Sequence, residues 1–237
     1  MKRSTLLKAA VMAVAAITTM TACKNDAYDS GTGPLSLTRA DFVEAHTGND
    51  CAVDYVLTDD GRKINLSSRL TAGWLNRPDT LYRAVLYYNV SADTEITDNT
   101  NDAAAVAEPV ALSMVPVLSP KAEDSFKDGV RTDPVKFESM WLSAGGRYVN
   151  IGFYLKNGST GDDNILHTIG MVQRRIVTND DGTRTVMLQM YHDQGGVPEY
   201  YSSRYYVSVP CGEIDGDSVY ITINTYDGPV TKKLEIL

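Results

Sequence analysis

Positive charge is scarce in this sequence. Its 237 residues include 22 Lys and Arg against 30 Asp and Glu, which gives a formal net charge of −8 at pH 7. Binding to nucleic acid depends on cationic contacts with phosphate, and adhesion to anionic lipid depends on clustered Lys and Arg. The acidic balance therefore argues against both kinds of partner.

Motifs of catalysis and of nucleotide binding are missing. The chain has no G-x-S-x-G elbow, P-loop, G-x-G-x-x-G or C-x-x-C. Its paired carboxylates adjoin Gly or Asn, as turn residues do, and none fits a calcium loop or the facing pair of a glycosidase. These pairs are Asp59-Asp60, Asp162-Asp163, Asp180-Asp181 and Asp215-x-Asp217. We expect a non-enzymatic protein without a cofactor.

The N-terminus has the pattern of a secretory signal. Lys2, Arg3 and Lys8 precede the short apolar run 9–17, which is too short for a permanent membrane span. Thr21 and Ala22 lead directly into Cys23, which resembles a bacterial lipobox. We therefore expect residues 1–22 to be a lipoprotein signal peptide and Cys23 to carry lipid, including palmitate. The alternative is a plain signal peptide with an incidental cysteine.

A lipid-bearing Cys23 would anchor the mature protein permanently, because two or three acyl chains hold a protein at a membrane. Loss of the three cations in residues 1–22 lowers the net charge from −8 to −11. We interpret residues 23–46 as the lipidated N-terminus and a flexible tether. The charged start Cys-Lys-x-Asp favours the outer membrane, at its periplasmic face or at the cell surface.

Cysteine is rare, with three residues in the whole chain. After lipidation only Cys51 and Cys211 would remain. They could pair in an oxidising envelope. The alternative is that Cys51, which alternates with Val53, Tyr55 and Leu57, is a small buried apolar residue.

Helical periodicity is also scarce, and most segments after residue 50 alternate with a period of two. Asp-Gly and related turns separate the apolar runs, which is typical of hairpins. We predict an all-β protein with a small barrel at 47–119 and an antiparallel β-sandwich at 120–237. Residues 91–108 are interpreted as a long loop.

Several stretches resemble, in order, the NigD-like family of Bacteroidetes lipoproteins. They are DYVLTDDGRKINL, YRAVLYYNVSAD, VALSMVPVLSP, DPVKFESMWLSAGGRYVNIGFYL, LHTIGMV and LQMYHD. The resemblance implies an N-terminal OB-like barrel and a C-terminal β-sandwich. The founding member of the family lies in a bacteriocin-linked gene cluster and has been suggested to confer immunity. The family supplies no catalytic residues, and its fold alone gives no function.

Tyrosine is abundant, with 14 residues against four Phe. Alternation turns a set of these tyrosines outward, where they would form a face for protein or glycan recognition. The alternative is cross-strand pairing that stabilises a sheet. The set is Tyr148, Tyr154, Tyr200, Tyr206, Tyr220 and Tyr226.

Two histidines are the strongest candidates for chemistry. A hairpin closed at 179–182 pairs His192 with Ile169 and His167 with Gln194, so both imidazoles lie on one face. Two metal ligands are geometrically possible there, but no third is evident. The favoured interpretation is a hydrogen-bonded pair at the end of a sheet, and we expect no metal.

The sequence leaves three functions open. The first is a membrane-anchored envelope lipoprotein that binds a protein partner, as an immunity-type factor would. The second is a glycan-binding surface lipoprotein linked to polysaccharide capture. The third is a hydrolase, which would need a deep cleft near His167 or His192.

Overall fold

The computed structural model describes residues 38–90, 105–159, 161–162 and 165–236. Their regular structure is strand, apart from 3-10 turns at Glu123–Ser125 and Cys211–Glu213. The strands form one closed barrel and two further sheets. The prediction of an all-β fold with a small barrel and a sandwich is confirmed.

Five strands close the barrel in the order β1-β2-β3-β5-β4. Tyr88 is fully buried at its centre, and its hydroxyl donates a 2.6 Å hydrogen bond to the Asp41 carboxylate. Burial and this carboxylate raise the pKa of Tyr88 to about 12. The barrel strands are β1 Thr38–Thr47, β2 Val53–Thr58, β3 Lys63–Leu70, β4 Leu81–Val90 and β5 Ala105–Met114.

The barrel begins earlier than predicted, since β1 starts at Thr38. Residues 38–46, interpreted from the sequence as tether, therefore belong to the fold. Val43 and Ala45 are completely buried, while Glu44 between them binds residues of the sandwich. Because the charged Glu44 interrupts the apolar residues of this strand, its sequence resembles a polar linker.

The long loop predicted at 91–108 is also shorter at its C-terminal end. Residues 105–108 belong to β5, and Pro109 lies where the β4–β5 register shifts. The remainder, 91–104, lies outside the described residues. The next predicted strand, 110–118, ends at Met114, and Val117 then makes an isolated bridge to Ser208 of the sandwich.

The sandwich consists of a five-stranded sheet, β13-β12-β10-β9-β6, and a three-stranded sheet, β11-β8-β7. The β10–β12 and β6–β9 pairs are parallel, so the larger sheet is mixed rather than purely antiparallel. The strands are β6 Pro120–Ala122, β7 Lys136–Leu142, β8 Tyr148–Asn157, β9 Thr168–Thr178, β10 Arg184–Asp193, β11 Tyr201–Pro210, β12 Ser218–Ile223 and β13 Val230–Glu235.

The centre of the sandwich follows the predicted alternation. Val149, Ile151, Phe153 and Leu155 of β8 are buried. Val207 and Val209 of β11 are buried too, whereas Tyr205, nearer the start of that strand, is 40% exposed.

The two remaining cysteines are free thiols, so the possible disulfide between them is not formed. Cys51 lies in the β1–β2 connection with φ of +59°, outside the alternating strand that starts at Val53. Cys211 is buried in the sandwich core, and burial raises the pKa of its thiol.

Candidate functional site

The outer face of the three-stranded sheet divides into a covered half and an open half. The barrel covers the half at the start of β8, where Asn150 and Ser208 are completely buried. Arg83 of β4 donates from Nη2 to Asn150 Oδ1 at 3.0 Å and from Nε to Ser208 Oγ at 3.2 Å. These contacts join the barrel to the sandwich.

Two of the six predicted surface tyrosines are used in this junction, which corrects the sequence interpretation. Tyr148 donates to Glu44 at 2.7 Å, and burial together with Glu44 raises its pKa to about 12. Tyr206 packs edge-on against Phe42 of the barrel at 5.3 Å between ring centroids. Trp141 packs against the same Phe42 at 5.4 Å.

The open half of the same face forms a cleft of about 410 Å³. Tyr154 of β8 and Tyr226 of the β12–β13 connection contribute aromatic rings to it. The cleft is lined by Val135, Lys136, Phe137, Tyr154, Lys156, Ser202, Thr225, Tyr226, Asp227, Gly228, Pro229 and Val230. It is a mixed aromatic and charged surface at the end of the sandwich away from the barrel.

Each cleft tyrosine carries a cation over its ring. Lys156 Nζ lies 4.5 Å from the Tyr226 ring centroid, and Lys136 Nζ lies 5.3 Å from that of Tyr154. Lys156 also pairs with Glu199 at 2.5 Å, and this hydrogen bond raises the pKa of the lysine. Among the described residues, no carboxylate lies within ion-pair distance of Lys136, so its ammonium is available to an anionic group.

The other two tyrosines of the predicted set lie elsewhere. Tyr200 is 76% exposed and precedes β11, whereas Tyr220 lies on β12 of the five-stranded sheet. The six tyrosines therefore do not form one face. Tyr154 and Tyr226 are the two that the structure brings together. The alternation of β8 already placed Tyr154 and Lys156 on one face, but nothing in the sequence indicates the approach of Tyr226.

His167 and His192 are in direct contact, at 3.0 Å between Nδ1 of the first and Nε2 of the second. Next to the turn of the β9–β10 hairpin, Thr178 pairs with Arg184, whereas the predicted turn would pair it with Thr183. An extra residue in β9, Arg174, shifts the register by one, so that His192 pairs with Ile169 as predicted. The other two ring nitrogens, His167 Nε2 and His192 Nδ1, lie within hydrogen-bond distance of backbone carbonyl oxygens. Within the described ranges, no cluster of three metal-ligating side chains occurs.

Asp181 has the predicted local role, because it accepts a hydrogen bond from Thr183 two residues later. Asp215 instead pairs with Arg184, 31 residues away in the sequence. Asp59 forms a bidentate pair with Arg83. Its Asp-Asp-Gly context gives no sign of this long-range partner. Asp163 lies outside the described residues.

Over the part of the chain that can be described, no helix is long and apolar enough to cross a membrane. The family of NigD-like C-terminal beta sandwich domains matches residues 116–236, which is more than half of the chain. The chain belongs to the NigD-like family.

Three solved structures share the fold of this chain. A NigD-like immunity protein from Bacteroides caccae is 25% identical, with a TM-score of 0.59 over 83% of this chain and 91% of the other. A protein of unknown function from Bacteroides vulgatus is 16% identical, with a TM-score of 0.59 over 84% and 90% of the two chains. A protein described as toxin-related, from Parabacteroides distasonis, is 21% identical, with a TM-score of 0.58 over 84% and 92%. A search of curated proteins found no match.

Proposed function

We propose that this NigD-like protein is a non-enzymatic lipoprotein of the cell envelope that binds a protein partner, as an immunity-type factor does. The cleft of Tyr154 and Tyr226 is the observation that carries the proposal. The similarity to an immunity protein over 91% of that protein's length supports the partner class. The anchor is lipid on Cys23, and the location is the outer membrane, at its periplasmic face or the cell surface.

The cleft has the chemistry of a protein-binding hot spot. Tyrosine offers a large contact area together with a polar tip, and it is enriched where binding energy concentrates. The Lys136 ammonium, which lacks a carboxylate partner among the described residues, suits an acidic side chain of the partner. Tyr226 is 43% exposed, so a partner can cover its ring without prior rearrangement.

A binding role suits the charged groups of the cleft better than a hydrolytic one. Glu199 pairs with Lys156, and Glu138 pairs with Arg204 at 2.8 Å. Glycosidic hydrolysis uses two carboxylates facing each other across the bond that is cleaved. Here Glu138 and Glu199 each neutralise a cation, and among the described residues the cleft lining contains a single carboxylate, Asp227.

The glycan-binding alternative predicted a row of exposed aromatic rings. Tyr148 and Tyr206 lie in the junction with the barrel, and Tyr220 lies on the other sheet. The predicted tyrosines therefore form no such row among the described residues, and the proposal favours a protein partner.

Site-specific photo-crosslinking in the native envelope tests this proposal. In one variant a photoreactive amino acid replaces Tyr226. In the matched control it replaces Tyr220, which lies on β12 of the five-stranded sheet. We expect one protein adduct of defined mass from position 226 and none from position 220. Failure to form an adduct at position 226, or identical adducts from both positions, would contradict partner binding at the cleft. Loss of the adduct when Tyr154→Ala is added would confirm that the cleft is the contact.

A further inference from the structure

The four ring nitrogens of His167 and His192 form one continuous chain of contacts. His167 Nε2 lies 3.1 Å from the backbone oxygen of Lys156, and His192 Nδ1 lies 2.9 Å from that of Asp133. The inner nitrogens, His167 Nδ1 and His192 Nε2, are 3.0 Å apart. The chain thus links β8, the segment before β9, β10 and the segment before β7.

These contacts determine how many hydrogens the four ring nitrogens carry. A carbonyl oxygen can only accept, so each outer nitrogen must carry a hydrogen. A neutral imidazole has one N–H, which leaves both inner nitrogens bare and their lone pairs facing each other. A hydrogen bond at the inner contact therefore requires a third proton.

We propose that His167 and His192 share one proton as an imidazole–imidazolium pair, which acts as a pH-sensitive clasp at the end of the sandwich next to the cleft. One proton lies between His167 Nδ1 and His192 Nε2, and the pair carries a single positive charge. A neutral pair would instead turn a lone pair toward a carbonyl oxygen at one outer contact. That arrangement would replace an attractive contact by a repulsive one.

The Asp133 and Asp193 carboxylates, whose charges act on His192, are held by other groups. The Asp133 carboxylate accepts the backbone N–H of Gln194 at 2.7 Å, and Asp193 pairs with Arg131 at 3.1 Å. Lys156, whose carbonyl contacts His167, lies beside Glu199 and Tyr226. Lys156 and Glu199 pair with each other, so their charges largely cancel. Burial lowers the pKa of His192, and the charge of His167 acts in the same direction.

The clasp responds to pH in two steps, which belong to the pair rather than to either histidine. Loss of the shared proton at high pH leaves two lone pairs in contact. Addition of a second proton at low pH places two cations together in a buried site. The closed clasp is therefore most stable between the two steps, and its stability falls on both sides.

Opening of the clasp would reach the cleft through Lys156. The carbonyl of this residue accepts from His167, while its side chain covers Tyr226. The segment at 165–167 includes Leu166, which is 65% exposed and has little packing of its own. We therefore expect this segment and the Lys156 side of the cleft to loosen together.

Nuclear magnetic resonance of protein with 15N-labelled histidine tests the clasp in the wild-type chain. Only three histidines occur, so the signals can be assigned by elimination with His46→Asn and His167→Asn. We expect a range of pH in which both outer nitrogens are protonated and the inner nitrogens share one proton. On either side of this range the 15N signals of the two histidines should change together, as coupled steps of the pair.

Amide hydrogen exchange gives the second readout. After correction for the intrinsic rise of amide exchange with pH, the protection of residues 165–168 should be greatest at the pH of the shared proton and should fall on both sides, and His167→Asn should abolish this optimum. Independent single-step titration of the two histidines, or one outer nitrogen without a proton across the whole range, would overturn the clasp. Neither readout depends on a binding partner, so these results are separate from the test of the proposed function.

Discussion

Arg83 of the barrel and Asp59 of the β2–β3 turn form a bidentate ion pair at the junction of the two modules. The Nη1–Oδ1 and Nη2–Oδ2 distances are 2.5 and 2.8 Å, and the Arg83 side chain is 1% exposed. The guanidinium also holds Asn150 and Ser208 of the sandwich and stacks over the ring of Tyr148 at 4.3 Å. One buried cation thus fixes the barrel against the sheet whose other half forms the cleft.

Replacement of Arg83 by Met should therefore destabilise the protein strongly. The substitution leaves the Asp59 carboxylate beside buried polar groups without its cation, and such losses cost about 3–5 kcal/mol. We expect the lower end, because Asp59 is 16% exposed and water can reach it. Urea unfolding followed by tryptophan fluorescence measures the change.

Two further variants complete that experiment. Arg69→Met removes the cation of the exposed pair with Asp50 and should barely move the unfolding midpoint. Adding Asp59→Asn to Arg83→Met should recover part of the loss, because the unpaired charge is then gone. If Arg83→Met and Arg69→Met lowered the free energy of unfolding equally, the buried pair would stabilise the protein no more than the exposed pair does.

The close approach of Gly145 to the barrel gives an independent prediction. A Cβ added at this residue would lie 2.6 Å from the backbone oxygen of Asp59, and a backbone atom cannot move aside as a side chain can. Gly145→Ala should cost about 1–3 kcal/mol, as overpacking does. Gly73→Ala is the matched control, since a methyl group added there would meet nothing within 4 Å. Calorimetry should show a lower melting temperature for the first variant alone.

The alternating pattern of the sandwich could be predicted from the sequence because each strand has one apolar face. Val149, Ile151 and Phe153 reach the core as the period of two requires. The same rule fails for Tyr205, which is 40% exposed although Val207 and Val209 on the same face of β11 are buried, because a period of two does not tell how far along a strand the core extends. It fails for β1 as well, because the Glu44 carboxylate accepts a hydrogen bond across the junction from Tyr148 and does not face solvent.

The candidate site was only partly predictable for a similar reason. The contact between His167 and His192 follows from hairpin register, which is a local property. The pairing of Asp59 with Arg83 and the approach of Tyr226 to Lys156 depend on how separate segments pack. No local pattern around Asp59 or Tyr226 carries that information, so the sequence interpretation placed the first in a turn and the second in a single tyrosine face.

Two buried phenols predict a loss of stability in alkaline solution. The pKa values of Tyr88 and Tyr148 are about 12 in the folded protein, whereas an unfolded tyrosine ionises near about 10. As the pH rises above about 10, the unfolded chain releases protons that the folded chain retains, so folding stability falls until about 12. The free energy of unfolding measured against pH should show this decline, and Tyr148→Phe should make it shallower. An unchanged slope in that variant would contradict the role assigned to Tyr148.

The intact mass of the mature protein, purified with detergent from its native membrane, tests the central proposal most directly. We predict a chain that begins at Cys23 and carries the added mass of two or three acyl chains. Such a protein should partition into the detergent phase, and Cys23→Ser should move it to the aqueous phase. A mature chain that starts at another residue, or that has an unmodified Cys23, would contradict the proposal of a membrane-anchored NigD-like protein.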